Sequence, residues 1–183
     1  MSQRIAISEA SPTRPRKQGD IAEKGTLEDT LVAVKTLANE SDLSTLANRI
    51  ASVTAQDTAR WGRMNAYQMM RHLADALRVP LGEKRVSEQS GLFQRTLMKW
   101  GALWFPTPWP KSVPTRPEID QCLLGVCDGD FEASRKDALQ QLARLSHAKV
   151  EGARHPYFGA INQKEWMRWA WLHTDHHLRQ FGR

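Results

Sequence analysis

The sequence predicts an all-α protein, a four-helix bundle with one long crossover connection and one or two extra N-terminal helices. Three observations predict it. Apolar residues recur at helical spacing in six segments, several of which open on a capping residue. No segment shows the strict alternation of a half-buried strand. One connection, "PTPWPKSVPTRP", takes five of the nine prolines within twelve residues, which makes it stiff and irregular rather than helical or extended in a ladder.

The elements follow in order. Residues 1–25 are polar, rich in Pro, Arg, Ser and Gly and without periodicity, so they read as a flexible tail. Thr26 with Asp29 three residues later resembles a capping box, and Leu27, Leu31, Val34 and Leu37 predict an extra helix over 26–40. The phase is lost near Asn39–Ser41, and residues 41–183 form the main domain. Its first helix places Leu43, Leu46, Ala47, Ile50 and Val53 on one face. After the connection "QDTARWGRMN", Asn65 caps the helix "AYQMMRHLADALRV", which Pro80 and Gly82 end. The helix "GLFQRTLMKWGALWF" leads into the proline-rich crossover, a connection long enough to serve as a site lid. "DFEASRKDALQQLARLSH" is the next helix, "HPYFGA" a turn, and Asn162 with Glu165 caps the last helix, "QKEWMRWAWLHTDHHLRQF".

Composition narrows the function classes. A chain of 183 residues is the size of one domain with a tail. The net charge of +6 favours anionic partners in general, but the basic residues are spread among acids with no run longer than "RPRK", which argues against nucleic acid. No apolar run reaches the roughly 18 residues of a membrane span and no apolar signal core opens the chain, so a cytoplasmic protein without a membrane partner is expected. Cys122 and Cys127 fit neither a disulfide framework nor C-x-x-C, and read as small buried residues of a reducing compartment.

The chemistry concentrates in the histidines. His173, His176 and His177 are three of six, packed into five positions of the last helix. A metal site, a proton-transfer site and an ordinary helix end compete for them. At about 100° per residue, Trp166, Ala170, His173, His177 and Phe181 share one face, flanked by Trp169 and Gln180, with His176 at its edge. Two imidazoles one turn apart on a core-facing stripe are costly to bury without partners, and both cannot be charged. A cation between them removes the cost, and hydrogen bonds to neutral rings are the other solution. His72 borders the apolar arc of its helix, on a face that also carries Gln68 and Asn65. A bundle that brings it opposite His173 and His177 makes a three-histidine site with open positions. His147 and His155, at a helix end and in a turn, read as structural. Trp104 and Trp109, in and beside the crossover, read as bundle packing or as pocket walls.

"RWGRMNAYQMMRHLADALRVPLGE", with "HPYFGAINQKEW" and "HTDHHLRQFG" near the end, resembles the DinB-like (DinB/YfiT) superfamily of helical bundles, nearest one of its families of unknown function, over roughly residues 40–183. The resemblance implies a bundle with a long crossover, frequent dimers, and a metal held by His72, His173 and His177, with Gln180 at the superfamily's glutamine position. It also implies transferases and isomerases of low-molecular-weight thiols such as mycothiol, bacillithiol or glutathione. The tryptophan- and proline-rich crossover matches no thiol-specific subgroup, so the substrate does not carry over.

The expected function is therefore a divalent-metal-dependent enzyme, with zinc, nickel or iron at His72, His173 and His177. It would activate a low-molecular-weight thiol for S-transfer to a small molecule, or a water for hydrolysis. Gln68, Asn65, Gln180 and His176 are the candidates to orient ligands or substrate. The alternative is a non-catalytic module that binds a metal, a small ligand or a partner protein.

Overall fold

The computed structural model describes residues 34–183. The described chain is all-α, with a single ladder of two-residue strands. The polar tail and the helix expected from Thr26 lie, up to Ala33, outside the described residues. From Val34 to Asn39 the chain is irregular and then turns, so Val34 and Leu37 are not helical.

Four longer helices pack around one core. Helix α1 is Glu40–Ala51, α2 Ala66–Arg78, α4 Phe131–His147 and α5 Gln163–Gln180. The short α3, Lys99–Trp104, lies against α5. Each long helix starts where a side chain satisfies the free amides of its first turn. The Asn39 side chain accepts from the amides of Ser41 and Asp42, and Asp130 from that of Ala133. At α2 and α5 the caps are reciprocal boxes, Asn65 with Gln68 and Asn162 with Glu165.

The buried face of each helix follows its apolar spacing. Leu46 and Ile50 of α1 pack with Met69, Leu73 and Leu77 of α2, Leu142 and Leu145 of α4, and Trp166 and Ala170 of α5 in a single core. Full burial of each such side chain contributes about 1.5–3 kcal/mol. Helix α5 is buried over more than one stripe, because Met167, Thr174 and Leu178 are covered as well as Trp166, His177 and Phe181. Arg168 of α5 explains part of that. Its Nε donates to the Leu103 carbonyl at 2.8 Å and its guanidinium to the Lys35 carbonyl at 2.7 Å, which ties α3 and the entering chain to α5.

The long segment between α2 and α4 is where the structure departs most from the sequence reading. Residues 92–104 form one helical run whose middle, Gln94–Met98, is a π-turn before α3 begins. The "HPYFGA" turn closes a short antiparallel ladder, β1 Arg154–His155 with β2 Gly159–Ala160, where no strand was expected. Cys122 is only half-buried and Cys127 is exposed, since both sit in the loop that leads to α4 rather than on a core face. Trp104 is 39% exposed and so does not pack the core. No helix among the described residues is long and apolar enough to cross a membrane.

Candidate metal centre

Helices α2 and α5 place His72, His173 and His177 so that one ligand atom from each lies within 4.8 Å of the others. On α5 the spacing of four residues puts His173 and His177 one above the other, with ring centroids 4.7 Å apart. His72 faces both, at 5.1 Å from the His173 ring and 4.6 Å from that of His177. His72 is 2% and His177 8% exposed, while His173 is half-buried.

The outer nitrogens orient the rings. His72 Nδ1 lies 2.9 Å from the Ile119 carbonyl, which can only accept, so Nδ1 carries the proton and Nε2 keeps its lone pair. The Pro117–Ile119 3₁₀ turn presents that carbonyl. Gln180 plays the same part for His177. Its Nε2 donates to the Trp61 carbonyl at 2.6 Å, which fixes the amide orientation, and its Oε1 then accepts from His177 Nδ1 at 2.9 Å. A histidine whose outer nitrogen donates in this way is the usual form of a metal ligand. His173 lies stacked on Trp169, with centroids 4.9 Å apart, and its buried Nδ1 has no partner among the described residues.

The three rings fit a cation better than they fit one another. His72 Nε2 and His173 Nε2 are 3.3 Å apart. A tetrahedral ion at the zinc–nitrogen distance of about 2.0–2.1 Å has ligand atoms about 3.3–3.4 Å apart. Burial holds the proton affinity of His72 below the ordinary histidine range and that of His173 and His177 well below it, and the neighbouring imidazoles reinforce the effect in His173 and His177. Neutral rings are the form a metal requires.

The cluster forms part of the wall of a largely apolar cleft of about 760 Å³. Trp109 and Val113 of the crossover and Met98 and Ala102 of the preceding helical run line it, with Phe158 and Trp169. Trp109 is held by its indole N–H, which donates to the Ala102 carbonyl at 2.7 Å. The proline-rich segment thus packs beside the histidines, while Trp104 is not among the lining residues.

The remaining candidates separate clearly. Gln180 touches His177, and His176, 9% exposed, lines the cleft with an unpartnered Nδ1 among the described residues. Asn65 and Gln68 are engaged elsewhere. Beyond capping α2, Asn65 donates to the Cys127 carbonyl at 2.9 Å and Gln68 to that of Val126 at 2.6 Å, so they hold the loop before α4. His155, read as structural from sequence, also lines the cleft. Its Nδ1 accepts from the amides of Tyr157 and Phe158, its ring stacks on Phe158 at 4.2 Å, and it meets Trp169 edge-on at 5.2 Å. The one sequence signal for its burial is the run of aromatics after it. His147 ends α4 away from the cluster.

Residues 35–183 match the model of a family described as protein of unknown function, DUF1569. No curated protein matches the chain. No solved structure matches it either.

Proposed function

The chain belongs to the DUF1569 family, and we propose that its three-histidine cluster holds a divalent metal at the centre of an enzyme that activates a low-molecular-weight thiol, such as glutathione, for S-transfer, or a water for hydrolysis. The observation that carries this reading is the convergence of three buried imidazoles within 4.8 Å, two of them oriented through Nδ1. The resemblance to DinB-like bundles adds the thiol chemistry. It extends to the glutamine that follows the last histidine, here Gln180.

Bound to three uncharged ligands, a zinc, nickel or iron ion keeps its full positive charge, and so acidifies a thiol or water placed beside it. The chain supplies the rest. Ile119 and Gln180 hold two ligand rings in the required tautomer. Trp109, Phe158 and Met98 exclude water and offer apolar area to a substrate body. His176 presents a neutral imidazole from the same helix, because burial lowers its proton affinity and Arg179 lowers it further. The cleft next to the cluster favours an open catalytic site over a closed structural one.

The test is elemental analysis of protein purified without an affinity tag, beside His72→Ala and His173→Ala. The expected result is about one divalent ion per chain, lost in both variants. Protein that carries no metal, and takes up none when offered zinc, nickel or iron, overturns the reading. Metal without turnover in a screen of thiols with electrophiles would leave a non-catalytic binding module.

A further inference from the structure

Residues 92–104 bury little of their apolar surface. Leu92, Phe93, Leu97 and Trp100 are 84, 60, 64 and 59% exposed, and Trp104 and Phe105 continue the same strip at 39 and 52%. The spacing 93, 97, 100 and 104 keeps these side chains on one side of the helical run. The other side is occupied, since Met98, Gly101 and Ala102 line the cleft and Leu103 is fully buried. Neighbouring large apolar side chains left in water on one helix face mark a contact with something else.

Charge selects the partner. From Gln89 to Pro117 the chain has four basic residues, Arg95, Lys99, Lys111 and Arg116, and no acidic one. Lys99 is paired with Glu165 at 2.8 Å and Arg95 lies 4.0 Å from Glu88, while Lys111 and Arg116 have no salt bridge among the described residues. A second copy would bring this uniformly basic stretch against itself. A surface of anionic lipid offers both the apolar layer and the opposite charge. Two exposed tryptophans beside leucine and phenylalanine are the side chains that settle at that boundary.

We propose that the Leu92–Phe105 face docks this protein onto an anionic membrane surface, lying in the headgroup layer without crossing it. The absence of a spanning helix, which led the sequence reading away from membranes, does not bear on a helix that lies flat. The contact stands apart from the metal chemistry, because none of the exposed side chains lines the cleft.

The experiment is sedimentation of the full chain with vesicles of phosphatidylcholine alone, or of phosphatidylcholine with about a third phosphatidylglycerol, a fraction that gives the surface a clear negative potential. The wild type is compared with the double variant Leu97→Glu/Trp100→Glu, whose sites are exposed and whose folding is checked by circular dichroism. The expected result is binding to the anionic vesicles only, weakened by salt, with a partition coefficient at least about tenfold lower in the double variant. No binding to anionic vesicles, equal binding to both, or equal binding of the double variant overturns the proposal. A wild-type dimer in light scattering that the same substitutions turn into a monomer also overturns it, and gives the face to a second copy.

Discussion

His155 is kept neutral by position as well as by burial. Its Nδ1 accepts two backbone amides, so the proton resides on Nε2, and a second proton would have to displace those bonds. Burial brings its pKa from the ordinary 6.5 down to about 3. The folded-state value lies below the unfolded one, so its contribution is fully present above about pH 6.5 and is lost as pH falls toward 3. His155→Asn keeps a carbonyl acceptor for the amides and removes the titration. Between pH 6.5 and 3 the wild type is expected to lose on the order of a few kcal/mol more stability than this variant, measured by urea unfolding. Parallel curves for the two proteins would show that His155 already carries its charge in the fold. At this scale the sequence was partly legible. The one-turn spacing of His173 and His177 on an apolar stripe pointed to a shared site. The burial of His155 was hidden, because it depends on Trp166 and Trp169 arriving from α5. Asn65 and Gln68 share a helix face with His72, yet their three-residue spacing is that of a capping box, and that bond takes precedence.

Between elements, the turn before α2 controls the far end of α5. Gly62 has φ +83°, and a Cβ there would lie 2.5 Å from Gln180 Nε2, the atom that anchors the amide to Trp61. Gly62→Ala is therefore expected to push Gln180 away and release His177 Nδ1, although residue 62 is not one of the ligands. Loss of such an outer partner costs about 10–100-fold in metal affinity. Competition with a chromophoric chelator measures it, and unchanged affinity in a folded variant would show that Gln180 does not govern His177. The starts of α2 and α5 were readable because Asn-x-x-Gln and Asn-x-x-Glu state their own capping bonds. The π-turn at Gln94–Met98 was not, since its apolar residues fit an ordinary helix equally well. Nor does proline spacing reveal where a crossover packs, so the place of Trp109 beside the histidines had to come from tertiary structure.

For the whole molecule, the metal is expected to be part of the fold's stability. Ligand present at 100 times its dissociation constant stabilises by about 2.7 kcal/mol, which for a chain of this size is a melting shift of about 5–10 °C. Chelator should lower the Tm of the wild type by that amount and leave His72→Ala unmoved, as read by calorimetry. Equal shifts in both proteins would mean that the ion binds elsewhere. The four long helices and the core they share were legible from period and caps, because both are local. The meeting of α2 with α5 is not local. His72 and His173 are 101 positions apart along the chain. Until the intervening polypeptide has closed that loop, α5 can offer at most its own pair of rings, a weaker trap for any ion. High-affinity uptake thus becomes a late event in maturation, and the cell's metal pool would bind tightly only to copies that have completed their topology.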